Sequence, residues 1–282
     1  MIPGIGGFIS LTGAVPRQKT TIDYYEPIHF PITNYETVEE LLKRSEETTK
    51  AVGQTYVINT FDLGVCMKAL PLVWKNPEKY KSHVIIPGAF HTKMNYIKML
   101  TGKKARGSGY AEILLESRLV ESSGCLKSVL SGKAFSKALF NLKATVGAFD
   151  RLLFDVFVEE EEDLEVRPQA LLDLIQNCNR QQLDVTLEDV STKELMRLYK
   201  EFKKKVRKGH LGKTGRFWIS FMDDANLVFL LIHAAKTNNR ELFHKCNGLM
   251  ANLFFAFDGQ NYSRYGVISN MLKLIRISMT NS

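Results

Sequence analysis

The sequence has little cysteine and no paired cysteine motif. Its 282 residues include four cysteines that lie far apart and form no Cys-x-x-Cys pair: Cys66, Cys125, Cys178 and Cys246. Small secreted domains are rich in disulfides, and structural zinc sites space their cysteines closely. Neither a disulfide framework nor a zinc knuckle is therefore expected, and we expect a reducing compartment.

Long apolar runs are also missing. No stretch approaches the run of about 18 apolar residues that is typical of a membrane-spanning helix. The first residues carry no positively charged segment ahead of an apolar one, as a secretory signal would. We therefore expect no membrane contact and an intracellular protein, for which a nuclear location is open.

The composition is that of an ordinary globular protein with a positive charge. Hydrophobic residues make up 45% and charged residues 24% of the chain, which is enough to bury one large core or two small ones. The net charge is +8. Such an excess permits a polyanionic partner such as nucleic acid, but it does not require one.

Residues 55–99 predict the centre of the fold. They contain two short runs of β-branched and aromatic residues, 56–58 and 84–86, each with the boundaries of a buried strand. Between them, residues 65–80 have the apolar spacing of a helix. Such a strand–helix–strand unit pairs its strands in parallel and brings their C-terminal ends to one edge of the sheet.

Two side chains suited to chemistry follow these strands. Asp62 ends the first run and His91 follows the second, so parallel pairing would bring both to the same sheet edge. A carboxylate at a strand end suits Mg²⁺, but Asp is equally suited to cap the next helix. His91 can be read as a metal ligand, as an acid/base group or as a packing side chain, and packing is favoured.

The remaining segments predict one more strand and many helices. Residues 20–28 are rich in Thr, Ile and Tyr and are expected to form an edge strand that contains Pro27. Thr33 and Glu36 form a capping-box pattern ahead of a helix over 35–52. After a basic, Gly-rich loop at 101–109, the helical segments are 110–119, 126–158, 170–179, 191–209, 216–236, 240–257 and 262–278.

These elements predict three parts. An irregular lead covers 1–19, an α/β unit covers 20–100, and 101–282 supplies a large, mainly helical insertion and the C-terminal helices. The order strand, helix, strand, helix, strand through residue 91 is typical of the α/β class.

A basic cluster lies at the end of the helix predicted over 191–209. It comprises Lys200, Lys203, Lys204, Lys205, Arg207, Lys208, His210, Lys213 and Arg216. Such a cluster can contact nucleic-acid phosphates, and it offers no Asn, Gln or aromatic set to read base edges. A solvated helix face is the more common explanation. The acidic run at 159–163 is expected to be an exposed loop, which could also pair with the cluster.

Several segments carry a resemblance to a known family. TTIDYYEPI, FDLGVCMKA, GAFHTKMNYI and FFAFDGQNYSRY follow one another in an order similar to that of uncharacterised, transposon-derived animal proteins. The region of Asp62 and His91 resembles the RNase H-like catalytic domain of cut-and-paste DNA transposases of the Mutator and hAT groups. In those enzymes a strand ends in a catalytic Asp, and a His that begins a helix follows. Asn95 resembles the Asn often found just after that His.

The resemblance implies a partial RNase H-like core and a set of site residues. The implied catalytic residues are Asp62, His91 and Asp258, with Asp223 and Asp224 as further choices for the third acidic residue. Asp62 is the implied ligand for Mg²⁺ or Mn²⁺ if the protein is active.

The sequence also departs from the transposase pattern. Two opening strands and the first catalytic Asp have no counterpart, and Ala89 stands where the family has Cys or Asp. Two-metal phosphoryl transfer needs several converging carboxylates. We therefore expect a domesticated or truncated, inactive transposase relic that binds nucleic acid without sequence preference. The alternatives are an active metal-dependent nuclease completed by an upstream segment, and a helical protein-interaction module.

Overall fold

The computed structural model describes residues 23–32, 34–160, 190–237 and 239–264. These residues divide into two compact units. The α/β unit takes its described residues from Arg17–Met99 and Asn247–Ser282, and the helical unit takes its own from Leu100–Cys246. The chain therefore leaves the α/β unit after residue 99 and returns to it at residue 247.

The α/β unit contains the predicted strand–helix–strand centre. Its elements in chain order are α1 (Tyr35–Ala51), β1 (Val57–Phe61), α2 (Leu63–Lys75), β2 (His83–Pro87) and α3 (Ala89–Ile97). β1 and β2 pair in parallel, with Val57 opposite His83 and Phe61 opposite Pro87. The predicted parallel pairing is confirmed.

The core of the α/β unit lies between its sheet and the helices α1 and α2. Side chains alternate along β1, so Val57 and Asn59 are buried while Ile58 and Thr60 are exposed. The buried core residues are Val38, Leu42, Val65, Cys66, Ala69, Leu70, Tyr80 and Ile85. One face of the sheet therefore packs on the core, and on the other face the side chains of β1 are exposed.

The helical unit is built from five α-helices in its described residues. They are α4 (Tyr110–Glu116), α5 (Ser123–Leu130), α6 (Phe135–Glu160), α7 (Val190–Arg207) and α8 (Gly212–Lys236), and α9 (Arg240–Ala256) continues from this unit into the α/β unit. α6, α7 and α8 pack together around Phe157, Phe202 and Ile219. The π-helical segment Lys98–Lys104 follows α3 directly. A Cβ on its Gly102 would lie 2.8 Å from the Leu130 carbonyl oxygen, so only glycine fits there.

α8 is long and apolar enough to span a membrane by length and composition alone. Its most apolar window has a mean hydropathy of 1.3, and half of that window is buried inside the structure. A core helix has the same properties, and Phe221, Ala225 and Leu231 are fully buried.

The predicted α/β class with a partial RNase H-like core is wrong. Helices account for 72% of the described residues, and the strands among them are the two short parallel ones. Residues 23–28 were expected to belong to a strand, but they form no ladder and are mostly exposed. Strand propensity depends on a partner that packs and pairs, and no described strand lies beside them.

Other helix boundaries also differ from the sequence expectations. The single helix expected over 126–158 is two helices, α5 and α6, because the chain turns at Gly132, which has a φ of 72°. α1 begins after Asn34, whose side chain makes no capping hydrogen bond. The expectations for 1–22, Thr33, 161–189 and 265–282 lie outside the described residues.

Candidate functional site

Asp62 lies where β1 ends and α2 begins. Its Oδ1 accepts a hydrogen bond of 2.9 Å from the Val65 backbone N–H, and the residue is exposed. This bond satisfies one of the backbone donors that the first turn of a helix leaves without a partner. Of the two interpretations that the sequence left open, capping is therefore the one that has a contact in the structure.

His91 and Asn95 lie in α3, which starts directly after β2. The His91 ring is half-buried and meets the Phe90 ring edge-on at 5.5 Å between centroids. The Asn95 side-chain amide donates to the His91 carbonyl oxygen at 2.9 Å and to the Tyr262 hydroxyl oxygen at 2.9 Å. Asn95 therefore links α3 to the segment that follows α9 in the same unit.

Tyr262 is a residue of this site that the sequence analysis did not single out. Its ring stacks on Phe254 with centroids 5.0 Å apart. Burial raises the pKa of the Tyr262 hydroxyl, and the negative charge of Asp62 raises it further. Burial likewise raises the pKa of the Cys66 thiol to about 12, with a smaller contribution from Asp62. Both groups therefore stay protonated at neutral pH, and neither is prepared to act as a nucleophile.

Asp258 lies in the turn after α9, where its φ is +62°. It is exposed, and its Oδ1 accepts a hydrogen bond of 3.2 Å from Gln260. Among the residues that the structure describes, no group of three or more His, Cys, Asp or Glu side chains could hold a metal ion. Asp62, His91 and Asp258 therefore form no such metal-binding group, and the catalytic role that the transposase resemblance implied for them stays a prediction.

The two further acidic residues lie in the helical unit and are engaged in ion pairs. Asp223 binds the Arg207 guanidinium through two hydrogen bonds of 2.7 Å, and Asp224 pairs with Lys104. These contacts are made within one unit, and they give both carboxylates a role in holding helices together.

Part of the basic cluster is neutralised by acidic partners. Lys203 binds Asp150 at 2.6 Å and lies over the Tyr199 ring. Arg207 binds Asp223, and His210 pairs with Glu160, the last residue of α6. The expectation that the acidic run starting near 159 pairs with the cluster applies to Glu160, whereas 161–163 lie outside the described residues.

Five of the six other residues of the cluster are exposed and have no acidic partner among the described residues. Lys200 and Lys204 are spaced four residues apart on one side of α7, and Lys208 follows directly after the helix ends at Arg207. Lys213 and Arg216 follow in the first turns of α8. No acidic side chain among the described residues pairs with any of these five. We name them the unpaired basic set: Lys200, Lys204, Lys208, Lys213 and Arg216.

One family matches almost the whole chain. Its description is Domain of unknown function (DUF8702), and it covers residues 6–280. The chain belongs to this family. No curated protein and no solved structure matches it.

The residues missed in this DUF8702 domain are those whose role depends on distant partners. Tyr262 stands in the segment quoted for Asp258, but nothing near it in the sequence indicates its bond to Asn95, 167 residues away. Asp150 is 53 residues from Lys203, and it lies in a helix with no other unusual feature. A sequence signal exists only for local contacts such as the Asp62 cap, three residues from its donor.

Proposed function

We propose that the protein binds nucleic acid without sequence preference through the unpaired basic set. The observation that carries this proposal is the division of the basic cluster. Tertiary ion pairs neutralise Lys203 and Arg207, and His210 contacts Glu160, while five neighbouring cations remain exposed to solvent. Exposed cations without acidic partners can replace the counterions that condense on a phosphate backbone.

The unpaired basic set is suited to phosphates and lacks the groups that read bases. Direct readout uses paired hydrogen bonds from Arg, Asn or Gln to base edges. The set contains one Arg and no amide side chain. Binding should therefore be electrostatic, and equal for unrelated duplexes.

The expected salt dependence of binding follows from the number of cations in the unpaired basic set. If all five cations contact phosphates, the slope of log K against log salt is about −4.5, since each contact on duplex DNA contributes about −0.9. Raising the salt concentration from about 50 mM to about 200 mM would then weaken binding roughly 500-fold.

The test compares two triple variants that remove the same charge. Lys200→Gln/Lys204→Gln/Lys208→Gln changes the unpaired basic set, and Lys75→Gln/Lys81→Gln/Lys98→Gln changes three exposed lysines of the α/β unit. Titration against unrelated duplexes at several salt concentrations should show a slope about 2.7 shallower for the first variant. The second variant should keep the slope of the wild type.

Two outcomes would overturn the proposal. One is an equal loss of affinity in both variants, which would indicate a general charge effect. The other is a strong preference of the wild type for one duplex sequence, because phosphate contacts alone cannot provide it. Lys203 and Arg207 are left out of the variants, since their substitution would break ion pairs within the fold.

A further inference from the structure

Among the described residues, β1 is paired along the edge that faces β2 and along no other. The Val57 N–H donates to the Ser82 carbonyl oxygen at 2.9 Å, and the Gly88 N–H donates to the Phe61 carbonyl oxygen at 2.7 Å. In a parallel ladder the backbone N–H and C=O groups of residues 57, 59 and 61 therefore point towards β2. The backbone groups of Ile58 and Thr60 point away from it. No backbone bond from either residue to another described residue is present on that outer edge.

The outer edge of β1 lacks the features that usually protect an edge strand. Natural edges carry Lys, Pro or an inward charge that prevents pairing with another chain. Residues 55–61, TYVINTF, contain no charged residue and no proline. The Ile58 side chain is 62% exposed and Tyr56 is 60% exposed. This edge therefore presents backbone groups that no described residue pairs, next to exposed apolar surface.

We propose that the outer edge of β1 pairs antiparallel with β1 of a second copy of this chain. The two-fold axis passes between the Asn59 residues of the two copies. Ile58 then lies opposite Thr60 of the second copy and Thr60 opposite its Ile58. In each of these pairs both backbone bonds are exchanged, because both residues point to the outer edge. The two small sheets become one continuous sheet.

A second copy fits this edge because the edge is complementary to itself. A two-fold interface requires the same surface on both sides, and an uncharged strand places no like charges opposite one another. Each Asp62 falls opposite Tyr56 of the other copy, so the two carboxylates lie at opposite ends of the paired stretch. Opposed β-branched side chains such as Ile58 and Thr60 stabilise a strand pair, and a two-stranded sheet gains by extension.

The first test measures the association state by sedimentation over a range of protein concentrations. Ile58→Lys/Thr60→Lys places lysines directly opposite one another in both pairs, so we expect the dimer dissociation constant to rise at least about tenfold. The matched control is Leu152→Lys/Leu230→Lys, which adds the same charge at exposed helix positions, since Leu152 is 59% exposed. The control should dimerise like the wild type. Circular dichroism checks that both variants are folded.

The second test measures the register. In a Cys125→Ser/Cys178→Ser background, a chain with Ile58→Cys is mixed with a chain with Thr60→Cys under mild oxidation. Residues that exchange both backbone bonds have Cα atoms about 5.5 Å apart, which suits a disulfide. We expect the mixed disulfide dimer to exceed the dimer of either single chain by about tenfold.

Three results would overturn the proposal. They are a wild-type chain that stays monomeric at all concentrations, a dimer that survives Ile58→Lys/Thr60→Lys unchanged, and cysteine chains that crosslink as well alone as when mixed. A monomeric wild type would leave the edge to an extended segment of a different protein.

Discussion

Asp62 is a residue whose structural role can be separated from its charge. Asp62→Ala removes the acceptor for the Val65 N–H and should lower the free energy of unfolding by about 1 kcal/mol. Asp62→Ser keeps an acceptor at the same position and should stay within a few tenths of wild type. Urea unfolding measures both variants. An Asp62→Ser variant as unstable as Asp62→Ala would show that the carboxylate acts by something other than capping.

His83 makes the stability of the α/β unit sensitive to pH. Its side chain is buried, and burial lowers its pKa below the ordinary value of 6.5, with Glu46 opposing the shift and Lys50 adding to it. The neutral ring accepts a hydrogen bond at Nδ1 from the Asn59 amide, 3.2 Å away. A protonated Nδ1 would be a donor facing the donor group of the Asn59 amide, so the folded state disfavours protonation of His83.

The sign of this effect follows from the lowered pKa of His83. Below pH 6.5 the unfolded chain binds a proton at His83 that the folded chain does not. As the pH is lowered from 6.5 towards the pKa of His83 in the folded state, the free energy of unfolding should therefore decrease by at most about 1.4 kcal/mol per pH unit. Above pH 6.5 His83 should contribute no pH dependence. His83→Gln should remove the part of the difference in unfolding free energy between pH 7.5 and pH 5.5 that His83 causes. Equal pH profiles for both proteins, measured by urea unfolding, would contradict the prediction.

At the scale of elements, the part that could be predicted is the part encoded locally. The apolar runs of β1 and β2 and the cap at Asp62 all lie within a few residues of the elements that they define. The parallel pairing follows from the length of the helix between the strands. β1, α2 and β2 therefore occur in the predicted order, and the two strands pair as predicted.

The elements that were mispredicted depend on contacts beyond their own residues. Residues 23–28 have strand composition, but a strand exists only with a partner, and the described residues provide none. The π-helical segment Lys98–Lys104 replaces part of an expected loop, and its Gly102 lies so close to the Leu130 carbonyl of α5 that a Cβ there would be 2.8 Å from the oxygen. Gly132 ends α5, although the apolar spacing continues across it. Periodicity reports which residues are apolar, and it does not report where the backbone turns.

At the scale of the whole molecule, the division of charge was the feature that sequence could not resolve. Nine basic residues form one cluster in the sequence, but Asp150, Asp223 and Glu160 neutralise only part of it. These acidic residues lie far from their partners along the chain, so only the folded helices bring them together. The return of residues 247–264 to the α/β unit is likewise a tertiary event. The candidate interface is therefore smaller and better defined than the cluster.

The prediction that concerns the chain as a whole is that divalent metal ions have little effect on it. Asp62 is the one carboxylate that the sequence pattern places at a strand end, and a site with one carboxylate binds divalent ions poorly, so we expect Mg²⁺ or Mn²⁺ to support no DNA cleavage. We also expect about 10 mM metal to change the unfolding temperature by less than about 1 °C. A site with a dissociation constant 100-fold below that concentration would add about 2.7 kcal/mol and raise the temperature by about 5–10 °C.

Calorimetry and a duplex-cleavage assay, each with and without a chelator, measure the two effects of the metal. The informative control is Asp62→Ser, which keeps an acceptor for the Val65 N–H but removes the carboxylate. If metal raised the unfolding temperature of the wild type by several degrees, and Asp62→Ser abolished that rise together with cleavage, Asp62 would be a metal ligand. Capping and metal binding would then coexist, because Oδ1 accepts from the Val65 N–H while the second carboxylate oxygen binds the ion.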